Sequence, residues 1–288
     1  MTLKQTLHRA RHILAENNVE DAPLESELLL RHVLKISRTQ LYLDLGQGLS
    51  PQQEQNFWRL LQRRLNGEPT AYITTRREFY GLDFYVDPNV LIPRPESELL
   101  VETALGLAQN RPLLTIADIG TGCGAIAISL ALGLPQARIY ATDISAAALK
   151  VTLVNCQKHG VTDRVRLLQG NLLEPLPEPV DLIVANLPYV RKSKLAPRFE
   201  PRVALDGGSD GKERIRQLCR QAGSRLRAGG SLLLEIGQWQ RKAVTALLHS
   251  LFPRGKIEVM PDLSGIDRVV SFSLIASQVQ LDTQPLHC

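Results

Sequence analysis

The sequence predicts a doubly wound α/β domain preceded by a small helical module. Three observations carry that prediction. From residue 111 onward, short aliphatic runs alternate with helix-length segments, the pattern of a parallel sheet joined by right-handed helical crossovers. The first of those runs ends in a glycine-rich turn, Asp118-Ile119-Gly120-Thr121-Gly122-Cys123-Gly124. The last two runs are separated by too short a link to hold a helix, which requires an antiparallel hairpin at one edge of the sheet.

With 288 residues, 44% of them hydrophobic and 22% charged, the chain has the composition of an ordinary globular protein and the length for two domains. No run of 18 apolar residues occurs, so no membrane span is expected. The four cysteines, Cys123, Cys156, Cys219 and Cys288, are widely spaced and form no CxxC, so neither a metal site nor a disulfide framework is expected. The net charge of +5 is weak evidence for an acidic or polyanionic partner.

Residues 1–75 read as all helix. Leu3, Leu7, Ile13 and Leu14 recur at helical spacing among charges, an amphipathic first helix without the continuous apolar core of a signal peptide, as expected of a cytoplasmic protein. A second helix follows Asp21-Ala22-Pro23. A further one starts at Ser50, an N-cap residue, with Pro51 in its first turn and Gly67 as its stop. The module carries no phosphate loop or acidic pair, and its expected work is contact with a partner. Residues 76–92 alternate as strands about Gly81 and predict a hairpin. "PRPESELLVETALGLA" then opens a helix after two prolines. The domain from 93 to 288 follows: strands in "LLTIADIG", "ARIYATDIS", "RVRLLQGN", "VDLIVAN" and "SLLLEIG", helices in "AIAISLALGL", "AAALKVTLVNCQKHG" and "RIRQLCRQAGSRLRAGG", and the closing pair "KIEVMPD" and "DRVVSFSLI" around "LSGI". The tail "QVQLDTQPLHC" has weak periodicity and is expected to fray.

The glycine turn lets the backbone approach a ligand. The second strand ends at Asp143, an acid placed to accept hydrogen bonds from ribose hydroxyls. Together they form a nucleoside half-site, and the turn alone fits a dinucleotide as well as S-adenosylmethionine. The strand "DLIVAN" separates the two. As the fourth strand of the alternating domain it lies beside the first, so Asn186 falls at the switch point next to the glycine turn. It is followed by Leu187, by Pro188, which fixes the turn, and by Tyr189, an exposed aromatic. An amide side chain, an outward carbonyl at Leu187 and the flat face of Tyr189 suit a planar, amide-like nitrogen with two protons. Such a nitrogen is a poor nucleophile, but a sulfonium methyl is already activated and requires mainly in-line positioning, worth roughly 7–11 kcal/mol. Hydride transfer offers no use for this clamp.

These residues and their surroundings resemble the protein-(glutamine-N5) methyltransferases that modify peptide chain release factors. The resemblance rests on "GEPTAYITTRREFYGLDFYVDPNVLIPRPESELLVE", "ADIGTGCGAIAISLAL", "ATDISAAAL", "VANLPYV", "EPRVALDGGSDG", "GGSLLLEIGQWQ" and "GIDRVVSF", in order over most of residues 67–272. It implies a Rossmann-like, seven-stranded class I methyltransferase sheet with an antiparallel edge hairpin, and an N-terminal substrate-recognition domain over 1–75. It implies S-adenosylmethionine bound by Gly120, Thr121, Gly122, Cys123, Gly124, Asp143, Asn171 (near the adenine) and Asn186. It implies a glutamine held by Asn186, Leu187, Pro188 and Tyr189, and class 1 release factors as the protein substrate of a monomeric enzyme that touches neither nucleic acid nor membrane. Two positions depart from the family pattern: Leu187 stands where the family usually has proline, and Thr75 where it tends to have glycine. Asn-Leu-Pro-Tyr also occurs in ribosomal RNA adenine dimethyltransferases, so methylation of RNA at adenine N6 or guanine N2 is the alternative reading.

Overall fold

The computed structural model describes residues 1–109, 114–195 and 199–274; the tail from Gln278 lies outside them. The chain divides into two compact units, Met1–Arg77 with Tyr85–Pro88, and Glu78–Phe84 with the residues from Asn89 on.

The first unit is built from α1 (Leu3–Glu16), α2 (Ala22–Leu34), α3 (Arg38–Leu43), α4 (Pro51–Leu65) and α5 (Thr70–Thr74). Capping boxes start the two longest: Thr2 with Gln5, and Ser50 with Gln53, each satisfying two otherwise orphan amide donors. Leu7, Leu14, Leu29, Leu30, Leu41, Phe57 and Leu61 make its core. One carboxylate, Glu27, sits within it, 3% exposed. It accepts from Arg11 and Arg38 at 3.0 Å each, and from the Tyr42 hydroxyl. A buried charge persists only when paired in this way.

The division between the units runs through a hairpin of β1 (Arg76–Phe79) and β2 (Leu82–Tyr85). Its two turn residues, Tyr80 and Gly81, both have positive φ (52° and 69°), as the tightest right-twisting turns require.

The second unit contains α6 (Glu98–Ala108), β3 (Thr115–Ile119), α7 (Ala125–Gly133), β4 (Arg138–Asp143), α8 (Ala146–His159), β5 (Val165–Gln169), β6 (Val180–Ala185), α9 (Glu213–Arg225), β7 (Leu226–Glu235), α10 (Arg241–Leu251), β8 (Lys256–Pro261) and β9 (Asp267–Ser273). Seven strands form one sheet in the order β5-β4-β3-β6-β7-β9-β8. The first five are parallel; β9 runs antiparallel to both β7 and β8. Every residue of β3 is buried, as expected of a parallel strand covered on both faces.

The edge pair is the antiparallel one the short link demanded, with one element the sequence reading did not include. α10 carries the chain across the sheet from β7 out to β8, anchored by buried Val244 and Leu248 one helical turn apart. The link Asp262–Ile266 then turns β9 back into the gap. β7 also starts earlier than "SLLLEIG": Leu226 already pairs with Val180, and the register shifts before Ser231. Gly229, at φ 73°, absorbs that bulge.

Candidate active site

The site is assembled at the carboxyl ends of β3, β4 and β6. β3 lies between β4 and β6, with Ile119 level with Thr142 on one side and Ala185 on the other. The chain leaves in opposite directions on the two sides, which opens a crevice there.

The glycine turn is held from three sides. The amides of Gly120 and Thr121 both donate to the Thr142 carbonyl at 2.9 Å. From α8, the Thr152 hydroxyl donates to the Gly122 carbonyl and the Asn155 amide to the Cys123 carbonyl, both at 2.8 Å. From β3, the Asp118 carboxylate accepts the Thr121 hydroxyl at 2.7 Å and the Ala127 amide at 3.2 Å. Gly120, Gly122 and Gly124 all have positive φ. A Cβ on Gly124 would stand 2.7 Å from the Thr152 methyl, whereas one on Gly122 would meet nothing within 4 Å. At Gly122 the missing side chain keeps space open; at Gly124 it lets α8 pack.

An open cleft lies against this turn. Gly120, Gly122, Asp143, Asn171, Asn186, Leu187 and Pro188 all line it, so the structure gathers residues from four separate loops. Thr121, Cys123 and Gly124 are not on its wall; they form the back of the turn. Burial pushes the Cys123 thiol up to about 12, which leaves it without nucleophilic character. Asp143 is tied to its surroundings by the amides of Gly122 (3.0 Å) and Ser145 (2.8 Å); burial nonetheless raises its carboxyl above the usual range. Asn171 donates to Glu174 at 2.7 Å.

The segment after β6 differs in one respect from the sequence expectation. Tyr189 is half-buried rather than exposed. Its ring lies over Gly237, where a Cβ would approach within 2.9 Å, and away from the cleft wall. Burial, with Glu235 opposite, raises its phenol. Leu187 is buried, with its side chain against Gly120.

Two further residues complete the arrangement. Asn186 Nδ2 donates to Ser97 Oγ at 2.8 Å, and that hydroxyl donates to Glu235 Oε2 at 2.5 Å. Ser97 ends the short turn before α6 and Glu235 ends β7; both are almost fully buried. Sequence reasoning absorbed both into matched segments without assigning them work. The signal was present in Glu235: an acid closing an otherwise aliphatic strand is what singled out Asp143. Nearby, Arg94 grips Glu200 through contacts of 2.8 and 2.7 Å, joining the "IPRPESE" segment to the loop after Tyr189.

This fold and cleft define a methyltransferase: residues 95–259 match the methyltransferase small domain, and residues 5–74 match the PrmC N-terminal domain. The chain is 45% identical over 274 residues to the release factor glutamine methyltransferase of Moorella thermoacetica, covering 93% of this chain and 97% of that one. It is 44% identical over 253 residues to the one from Bordetella pertussis, covering 85% and 93%. A solved methyltransferase from Pyrococcus furiosus shares the fold, with TM-score 0.54 at 19% identity over 68% of this chain and 90% of that one. The chain belongs to the release factor glutamine methyltransferase family and is an enzyme of that class. No helix among the described residues is long and apolar enough to cross a membrane.

Proposed function

We propose that this enzyme transfers the methyl group of S-adenosylmethionine to the side-chain amide nitrogen (N5) of the glutamine in the Gly-Gly-Gln motif of class 1 peptide chain release factors, in the cytoplasm. The observation that carries the reading is the direction of the Asn186 amide. Its NH₂ donates to Ser97 and also faces the Glu235 carboxyl, so Oδ1 is the end left for a ligand. An oxygen acceptor beside the backbone carbonyl of Leu187 matches the two protons of a primary amide.

The residues present fit the cofactor. Gly120 and Gly122 leave the cleft floor free of side chains, and Asp143 keeps unused lone pairs on both oxygens for a ribose diol. When bound, S-adenosylmethionine supplies a sulfonium-activated methyl. The chain's own residues hold the amide nitrogen in line with it, and Asn186 draws on an N–H proton so that electron density remains on nitrogen. The substrate's second N–H donates a hydrogen bond to the Leu187 carbonyl, and the proton that the nitrogen loses on methylation leaves to solvent. The helical unit, which carries no cofactor motif, would bind the release factor.

Mass spectrometry of a release factor incubated with enzyme and S-adenosylmethionine tests this directly. One methyl on the Gly-Gly-Gln glutamine, absent with Asn186→Ala, is the expected result. Leu187 and the net charge of +5 favour RNA as the second reading, and label transferred to ribosomal RNA alone would establish it instead.

A further inference from the structure

We propose that Ser97 and Glu235 are positioning residues that set which end of the Asn186 amide faces the substrate, and that a proton on Glu235 reverses that choice. The inference rests on the reading of Asn186 as the acceptor for a substrate N–H.

The argument follows from proton counting. Asn186 stands one residue beyond β6 and Glu235 closes the neighbouring β7, with Ala185 level with Leu234. Ser97 bridges the two side chains, 2.8 Å from Asn186 Nδ2 and 2.5 Å from Glu235 Oε2, and the Asn186 amide also faces the Glu235 carboxyl directly, favouring its ionised form. A hydroxyl has one proton to give. An ionised Glu235 can only accept, so it takes that proton, and Ser97 Oγ must then accept from Asn186. The amide is fixed with NH₂ inward and Oδ1 toward the ligand. A protonated Glu235 is itself a donor to Ser97. When it donates through the oxygen that faces Ser97, the serine proton is free to turn toward Asn186, which meets it with Oδ1. The amide turns over and presents NH₂ to a substrate nitrogen that also carries protons, and no hydrogen bond forms.

Three of the groups facing Glu235 are charged or titratable. Arg268 on β9 favours its ionised form, and Glu96, beside Ser97, opposes it. Tyr189 faces it from beyond β6. Arg268 is itself held by Asp262 at 2.9 Å. Burial outweighs these contacts and lifts the Glu235 carboxyl to about 7, so the reversal falls near neutral pH. A purely structural role, fastening the start of α6 to the sheet, would not link the orientation of an active-site amide to pH.

The test uses the full-length enzyme. In the free protein, the Asn186 side-chain NH₂ resonances should shift with pH about a midpoint near 7, and the shift should be absent in Ser97→Ala and Glu235→Gln. With a glutamine peptide and S-adenosylmethionine, kcat should rise with pH through that midpoint. Ser97→Ala should lower kcat at pH 8 at least about tenfold and remove the limb, while Ser97→Thr, which keeps the hydroxyl, restores both. An Asn186 NH₂ signal that does not respond to pH, or a kcat limb that persists unchanged in Ser97→Ala, overturns the relay. If Ser97→Ala does not fold, Ser97→Thr and the wild-type titration decide alone. A titrating amide in an enzyme that leaves glutamine unlabelled supports the relay and refutes the substrate reading.

Discussion

Asp143, the last residue of β4, accepts the amide hydrogen of Gly122, in the turn after β3, at 3.0 Å. The contact joins the two halves of the proposed nucleoside site. Its other oxygen accepts from Ser145 at the start of α8. One carboxylate therefore orders the glycine turn and offers its remaining lone pairs to the cleft.

Asp143→Ala removes both functions. Loss of charge-assisted hydrogen bonds to a ribose, each worth roughly 1.5–3 kcal/mol, should weaken S-adenosylmethionine binding at least about tenfold. Release of Gly122 adds a loss of preorganisation. Calorimetry gives the affinity and circular dichroism the integrity of the fold; unchanged binding in a folded variant would remove Asp143 from the cofactor site.

Asn186→Ala should leave cofactor affinity close to wild type while lowering kcat by about 10²–10³-fold, the scale observed when one preorganised polar contact at a reacting group is lost. Leu187→Pro separates the two substrate readings. Proline keeps the backbone carbonyl and stiffens the turn, so glutamine methylation should persist or rise, whereas methylation of an RNA adenine should fall. The change removes the Leu187 Cδ2 that packs against Gly120, so a modest drop in melting temperature should accompany it. Tritiated S-adenosylmethionine with purified release factor and with ribosomal RNA reads both outcomes.

The sheet was legible because its strands are short aliphatic runs closed by glycines or acids, and because "LSGI" is too short for a crossover. Asp143 and Asn186 were legible for a related reason: each is a polar residue ending a buried strand. α10 was missed although its signal was present: Val244, Leu247, Leu248 and Leu251 recur at helical spacing among polar residues. Glu235 carried the same strand-ending signal as Asp143, but its pairing with Ser97 is a contact across 138 positions of sequence, and periodicity along the chain carries no information about such a pair. Tyr189 looked exposed because nothing local revealed that Gly237, 48 positions later in the numbering, would receive its ring.

Thr75 shows a cost legible only in part. It departs from the family's glycine, and the structure gives it φ 54° as the residue closing α5. A β-branched residue in the left-handed region is strained by about 1–2 kcal/mol. Glycine removes that strain but loses about 0.5–1 kcal/mol of chain entropy. Thr75→Gly should therefore stabilise the protein by about 0.5–1 kcal/mol, read as a rise of a few degrees in melting temperature. A fall would mean that the Thr75 hydroxyl, bonded to the Thr74 carbonyl at 2.7 Å, outweighs the strain.

Asp118 makes stability depend on pH in the direction opposite to that of a salt-bridged acid. It is 1% exposed, and its Oδ1 is buried without a partner among the described residues. Burial raises its carboxyl to about 7 from 3.8, against the opposing hydrogen bonds from Thr121 and Ala127. The folded state thus binds this proton more tightly than the unfolded chain does. The resulting stabilisation is complete below about pH 4 and is lost as pH rises through about 7, with a change on the order of a few kcal/mol. Asp118→Asn is neutral throughout; its oxygen can accept from Thr121 and Ala127, and its NH₂ falls where Oδ1 now lies. Urea unfolding of both proteins at intervals from pH 5 to pH 8 isolates the residue, because other titrating groups cancel in the difference. The wild type should lose stability relative to the variant as pH rises across that range. A constant difference would show that Asp118 is already ionised in the folded protein at pH 5 and that a partner for Oδ1, such as a buried water, holds its charge.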